Sequence, residues 1–151
     1  MVQWFLQNGA SPNLELNNRC SDTPLAYAAI WGSVDMARLL IEHGARVDVG
    51  NVVSALCVSE RLDRTEMLAY LVEQEAPINH LDLFIEGHPY IGKADYGIEA
   101  PLHTAVRWKK PEIVRALLDH GADPTIKTTK GFTAYDIAKE LELRDLVSLL
   151  E

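Results

Sequence analysis

The stretch that decides the fold is Thr23-Pro24-Leu25-Ala26-Tyr27-Ala28-Ala29-Ile30-Trp31-Gly32, because the chain repeats it. A second copy reads Ala100-Pro101-Leu102-His103-Thr104-Ala105-Val106-Arg107-Trp108, and a third reads Thr133-Ala134-Tyr135-Asp136-Ile137-Ala138. The runs that follow the first two copies also end alike, in Leu40-Ile41-Glu42-His43-Gly44-Ala45 and in Leu117-Leu118-Asp119-His120-Gly121-Ala122. Self-similarity with a period near ~33 residues is typical of a stack of repeated units. Such a stack favours a binding surface over a catalytic pocket.

Four equivalent apolar residues set the register of the repeat: Leu25, Leu56, Leu102 and Tyr135. Their spacings are about 31, 46 and 33 residues, against the ~33 of a regular array. Residues 1–10 match the second half of a unit, so we expect the chain to begin with a partial unit.

The pattern resembles the ankyrin repeat over essentially the whole chain, through its Thr-Pro-Leu-His-like boxes, its Gly-Ala turns and its period. The resemblance implies an all-α solenoid of helix-turn-helix units with short β-hairpin or loop fingers. We predict a single domain over residues 1–151. Its predicted units are approximately 1–16 (partial), 17–48, 49–81, 95–127 and 128–151, with an inserted long finger at approximately 82–94.

Several residues predict where helices begin. Pro24 and Pro101 suit the first turn of an inner helix, where a missing N–H costs nothing. Pro111 suits the start of an outer helix for the same reason. Asp63, with Glu66 three positions later, is typical of a capping box.

The third unit departs from the pattern. Ser54-Ala55-Leu56-Cys57 stands where the Thr-Pro-Leu-His box is expected, and Glu75 replaces the glycine that ends the other outer helices. A left-handed turn is unfavourable for glutamate, so we expect the helix to run on there. About 13 residues beyond the regular period follow this unit, and insertions in repeat arrays map to loops, often on the binding face.

Composition excludes several classes of function. The 151 residues are 48% hydrophobic and carry 22 acidic against 14 basic residues, a formal net charge of −8. This balance disfavours nucleic acid and anionic membranes, which need Lys and Arg. No apolar run approaches the ~18 to 20 residues of a membrane span, and the first residues lack a secretory signal pattern. Cys20 and Cys57 have no metal-binding spacing, so we expect free thiols in an intracellular compartment, cytoplasmic or nuclear.

The resemblance also implies a concave groove lined by inner-helix ends. The predicted stripe consists of Ile30-Trp31, Arg61-Leu62, Arg107-Trp108 and Glu140-Leu141. Tryptophan and arginine are enriched in binding hot spots. Alternatively, each tryptophan packs over the turn that follows it and stabilises its own unit.

The inserted finger has three open interpretations. It is an elongated loop that packs on the stack, or a specificity loop with Phe84, Tyr90 and Tyr96 as contacts, or a metal or acid–base site built from its histidines and carboxylates. No HExxH, paired-cysteine or EF-hand spacing supports the last. We therefore expect no metal, no cofactor and no catalytic residues. The family's role for His103 is structural, and His43 and His120 read as surface residues.

The sequence therefore predicts a non-enzymatic protein–protein interaction module that binds a protein or peptide through its groove and finger loops. The alternatives are a structural segment of a longer array without its own partner, and, more remotely, an enzyme built on the finger. We expect a monomer or a piece of a longer chain, and an acidic surface that favours partners with basic patches.

Overall fold

The computed structural model of the protein describes residues 1–14, 23–49, 51–61, 64–81 and 97–151. Within these ranges the regular structure consists of α-helices, with no strand. The helices are α1 Val2–Gln7, α2 Pro24–Trp31, α3 Val34–Glu42, α4 Val52–Cys57, α5 Thr65–Glu73, α6 Pro101–Arg107, α7 Pro111–Asp119, α8 Ala134–Glu140 and α9 Arg144–Leu150.

The helices form two layers. Consecutive helices pair as α2–α3, α4–α5, α6–α7 and α8–α9. The inner helices α2, α4, α6 and α8 contact one another in series, and so do the outer helices α3, α5, α7 and α9. This is the predicted helix-turn-helix solenoid, and the fold class is confirmed. The described finger after α7 is a tight turn rather than a strand pair, in which the Thr128 amide donates to the Phe132 carbonyl at 2.8 Å.

The inner layer supplies most of the core. Three of the four register residues, Leu25, Leu56 and Leu102, are fully buried, whereas Tyr135 in the last inner helix is only partly buried. Removing large apolar side chains from water is the dominant favourable term in folding, so these inner-helix contacts hold the stack together.

Helix starts follow the local signals in most units. Pro24, Pro101 and Pro111 each occupy the first helical position, as predicted. The Thr23 hydroxyl accepts a hydrogen bond from the Ala26 amide at 3.2 Å and so caps α2. The predicted Asp63 capping box is wrong, because α5 begins after Arg64 and has no side-chain cap. Asp63 itself lies outside the described residues.

Outer-helix ends share one geometry even where the sequence differs. Gly44 and Gly121 have φ of 91° and 87°, as predicted. Glu75 takes the same left-handed conformation at φ 64°, so the expectation that the helix runs on there is wrong. The Ala76 amide donates to the Leu71 carbonyl at 3.0 Å and Ala76 is buried, so this tertiary contact holds the glutamate in a conformation that glycine favours.

The third inner helix begins earlier than predicted. The box placed its first helical residue at Ala55, but α4 starts at Val52. Val53 therefore takes the place that Leu25 and Leu102 take in α2 and α6. All six residues of α4 are buried, which explains the shift, because the earlier start places an entirely apolar or small segment between α2 and α6.

Candidate functional site

The structure describes six of the ten residues predicted to bind a partner: Ile30, Trp31, Arg61, Arg107, Trp108 and Leu141. The other four, Leu62, Phe84, Tyr90 and Tyr96, lie outside the described residues, as does the predicted finger at 82–94.

Trp31 and Trp108 occupy equivalent places at the ends of α2 and α6, but differ in exposure. Trp31 is the last residue of α2 and its exposed fraction is 59%. Trp108 follows the last residue of α6 and is partly buried, and Leu141 is partly buried at the same place after α8. Binding and packing therefore both stay open for Trp108, whereas most of the Trp31 side chain faces solvent.

The carbonyl end of α2 is capped by side chains from the connection between α4 and α5. The Ser59 hydroxyl donates to the Ile30 carbonyl at 2.6 Å, and the Arg61 guanidinium donates to the Trp31 carbonyl at 3.3 Å. Helix ends leave carbonyls unsatisfied, so these donors fix the backbone on which Trp31 is carried.

Arg64 completes this cap from a buried position. Its guanidinium donates to the Gly32 carbonyl at 2.9 Å and to the Ala29 carbonyl at 3.4 Å, and its exposed fraction is only 3%. Sequence reasoning missed both Ser59 and Arg64, because a repeat pattern compares units with one another and gives no signal for contacts between them.

The earlier start of α4 also corrects the predicted stripe. Counted from the helix starts, Val58 and Ser59 stand where Ile30 and Trp31 stand in α2. The predicted equivalents, Arg61 and Leu62, fall in the connection after α4. Arg61 is nevertheless exposed and next to Trp31 through its hydrogen bond, so the structure brings these two predicted residues together by a different route.

Arg107 is held inside the molecule. Its guanidinium lies 3.1 Å from the Glu99 carboxylate, with side-chain exposures of 13% and 2%. The Thr104 hydroxyl lies 3.5 Å from the same carboxylate. The pattern gave no signal for Glu99, since the residue before an inner-helix cap is not part of the repeated box. Because Arg107 is engaged in this ion pair, it orders the end of α6 rather than projecting freely to solvent.

His103 has the structural role that the resemblance implied. Its Nδ1 accepts a hydrogen bond from the Ala100 amide at 3.2 Å, so Nε2 carries the proton and donates to the Ile126 carbonyl at 3.0 Å. Burial lowers the pKa of the imidazole, because the charged form would lose hydration. A neutral His103 thus ties α6 to the finger that follows α7. His43 and His120 are exposed, as predicted.

Two asparagines place the flanks of the inserted segment. Asn13 donates to the Gly44 carbonyl and accepts from the Arg46 amide, both at 2.8 Å. Asn79 makes the same pair of bonds with the Gly121 carbonyl at 3.3 Å and the Asp123 amide at 2.9 Å. We call each arrangement an asparagine clasp.

The two clasps measure the insertion. The donor and acceptor residues are 31 apart in the first clasp and 42 apart in the second, a difference of 42 − 31 = 11 residues. The clasp and the contact of α5 with α7 thus bridge the insertion without breaking the stack. The inserted segment therefore leaves the stack near Leu81 and rejoins it near Gly97.

Chemistry-bearing groups in the described residues do not converge. No group of three or more His, Cys, Asp or Glu side chains there is placed to hold a metal ion. Cys57 is buried with its Sγ 3.5 Å from the Pro101 carbonyl, and burial raises the pKa of the thiol far above its usual range. No helix in the described part of the chain is long and apolar enough to cross a membrane.

Comparison with known families matches two parts of the chain. The family model described as ankyrin repeats (3 copies) matches residues 1–82, and the single ankyrin repeat model matches residues 99–129. The unmatched stretch between them contains the predicted finger.

Curated relatives share the same repeats within longer proteins. The chain is 27% identical over 127 residues to ankyrin repeat and SOCS box protein 11 from Danio rerio, covering 83% of the chain and 39% of that relative. It is 26% identical over 132 residues to the BTB/POZ domain and ankyrin repeat-containing protein NPR5 from Oryza sativa subsp. japonica, covering 87% and 24%. It is 28% identical over 182 residues to the potassium channel AKT1 from Arabidopsis thaliana, covering 99% and 20%. The chain thus spans well under half the length of each.

Proposed function

We propose that this chain, which belongs to the ankyrin repeat family, binds a partner protein or peptide on the surface formed by its inner-helix ends and its inserted finger. The family and the relatives point to a protein-interaction module. The observation that carries the groove proposal is Trp31, a large aromatic side chain left 59% exposed on a capped helix end.

Trp31 has the properties of a binding anchor. Tryptophan buries a large area on binding and is enriched among residues that dominate interface energies. Its backbone is fixed by Ser59 and Arg61, so a partner would not have to order this segment. Binding to a preorganised surface costs less conformational entropy.

Further along the array, the other helix ends extend this surface. Ile30, Trp108 and Leu141 are partly buried and offer smaller apolar patches beside the exposed Arg61. Arg107 contributes by orienting the end of α6 through Glu99. In this proposal Leu62, Phe84, Tyr90 and Tyr96 complete the contact surface from the connection after α4 and from the finger.

Charge narrows the chemistry of the partner. The chain carries a net charge of −8. Complementary potentials speed encounter and disfavour wrong partners. A partner with basic residues around an apolar anchor site therefore fits best.

A structural role in a longer array, without a partner of its own, is the second candidate. The exposed Trp4 and Phe5 near the first residues support it, because aromatic side chains there would be covered by a neighbouring unit. Affinity capture that recovers no specific protein with residues 1–151 would favour this alternative.

The test is affinity capture with mass spectrometry on the wild-type chain and on the double variant Trp31→Ala/Trp108→Ala. Trp4→Ala is the matched control, because Trp4 is as exposed as Trp31 but lies on α1. We expect specific partner proteins to be lost from the double variant and retained by the control. Equal recovery by all three chains would contradict the groove, provided circular dichroism shows that each is folded.

A further inference from the structure

Exposed apolar side chains are concentrated at one end of the molecule. Seven large hydrophobic residues are exposed in the described part of the chain, and six of them lie within residues 1–31. They are Met1, Trp4, Phe5, Leu14, Tyr27 and Trp31, and the seventh is Leu81. Single exposed hydrophobics are ordinary on protein surfaces, but a concentration of aromatic residues at one end marks an interaction site.

Tyr27 shows why this end is exposed. It is the fourth residue of α2, and the fourth residues of α4, α6 and α8 are Ala55, Thr104 and Ile137, each at most 1% exposed. Each of those later helices contacts an inner helix that precedes it. In the described residues no inner helix precedes α2, and Tyr27 is 45% exposed. A position that is buried throughout the rest of the stack is therefore open here.

Helix α1 presents the same contrast between its two sides. Val2 and Leu6 pack against the core, whereas Trp4 and Phe5 are 61% and 51% exposed. The rings of Trp4 and Phe5 meet edge to face, with centroids 5.3 Å apart. This arrangement orders two large aromatic side chains in solvent. We call Trp4, Phe5 and Tyr27 the amino-terminal end face.

Charge distinguishes this face from the opposite end. Residues 1–14 and 23–34 contain no charged side chain, although the chain as a whole carries −8. The last helix pair instead exposes Lys139, Glu140, Glu142, Arg144 and Asp145. Stacking the amino-terminal end face on that end would bury charges against aromatic rings, which is costly. Two copies of the amino-terminal end face can meet without placing like charges in contact.

We propose that the amino-terminal end face joins two copies of this chain about a two-fold axis. A two-fold interface uses the same patch on both copies and closes at the dimer. The aromatic residues are of the types that dominate interface energies. Each copy carries the same net charge, so screening by salt reduces the repulsion between the copies and strengthens the dimer.

Sedimentation velocity over a concentration series tests the proposal. We expect the wild-type chain to pass from monomer to dimer, with no larger species, and the dimer to form at lower concentration when salt is raised. The double variant Trp4→Ser/Phe5→Ser should raise the dissociation constant at least about 30-fold, because loss of hot-spot residues has effects of that size. Leu81→Ser is the matched control and should leave dimerisation unchanged.

Four outcomes would overturn the proposal. They are a wild-type chain that stays monomeric at every concentration, a Trp4→Ser/Phe5→Ser variant that dimerises like wild type, an open series of larger species, and loss of association in Leu81→Ser. If the double variant does not fold, Tyr27→Ser takes its place, with the same expectation. A longer chain in which a preceding helix pair covers Trp4 and Tyr27 while the protein stays monomeric would assign the face to that helix pair instead.

Discussion

The α6–α7 pair has proline at the first position of both helices and a glycine at positive φ after the second, whereas the α4–α5 pair has none of these. Yet α5 ends in the same left-handed turn as α7, at Glu75 rather than Gly121. The α4–α5 pair also starts its inner helix three residues earlier than the repeat pattern predicts. Both pairs nevertheless occupy successive places in the same two layers.

The difference lies in where the stabilising contacts come from. Local signals such as proline at the first helical position act within a few residues and can be read from the chain. The α4–α5 pair depends instead on Arg64, which bonds to the carbonyl end of α2, and on the burial of all of α4 between its neighbours. Stability in a repeat array is the sum of unit terms and interface terms, so a weak unit can persist between strong interfaces.

The largest expected effect breaks the regular pair at its buried ion pair. Glu99→Ala leaves the guanidinium of Arg107 buried without its carboxylate, and removing one partner of a buried pair costs about 3–5 kcal/mol. Urea unfolding measures this loss. The exposed Glu112→Ala is the control and should change stability by less than about 0.5 kcal/mol. A loss below about 1 kcal/mol for Glu99→Ala would mean that water already compensates the pair.

A smaller effect is expected in the irregular pair, at Arg64. Arg64→Ala removes charge-assisted hydrogen bonds to the Gly32 and Ala29 carbonyls, and hydrogen bonds to charged groups contribute about 1.5–3 kcal/mol. The exposed Arg61→Ala should cost less than about 1 kcal/mol, although it also bonds to α2. Amide hydrogen exchange at the end of α2 should accelerate in Arg64→Ala. Equal stabilities of the two variants would show that burial of Arg64 is not what holds the connection to α2.

The smallest effect sharpens the comparison by making the irregular pair regular. Glu75 has φ 64°, and left-handed backbone costs a side-chain-bearing residue roughly 1–2 kcal/mol. Glycine relieves this strain but loses more entropy on folding. Glu75→Gly should therefore stabilise the protein by about 1 kcal/mol in thermal or urea unfolding. The reciprocal change Gly121→Ala should destabilise it, and a stabilising Gly121→Ala would contradict the geometry.

Sequence reasoning predicts the parts of this molecule that local signals determine. The boxes at Thr23 and Ala100 give the starts of α2 and α6, and the glycine positions give the ends of α3 and α7. The start of α4 was wrong because Leu56 fits the core in either register, and only the burial of Val53 beside its neighbours separates the two. Glu75 was wrong because its turn is held by a tertiary contact.

For the candidate site, the sequence identified equivalent positions but not their surroundings. Trp31 and Trp108 are interchangeable in the repeat pattern, yet one is mostly exposed and the other partly buried. Arg107 matched the predicted stripe, but its charge is paired with Glu99, which the pattern does not mark. Exposure and ion pairing depend on neighbouring units, and a single repeated pattern does not contain that information.

The most direct test of the binding proposal is the affinity of a captured partner for Trp31→Ala, measured by calorimetry beside Trp4→Ala. The proposal predicts that Trp31→Ala weakens binding by about 2 kcal/mol or more, roughly 30-fold, while the circular dichroism spectrum and the affinity of Trp4→Ala stay those of wild type. Trp108→Ala should weaken binding less, because less of its side chain reaches solvent. An unchanged affinity for folded Trp31→Ala would contradict the proposal and move the partner site away from the inner-helix ends.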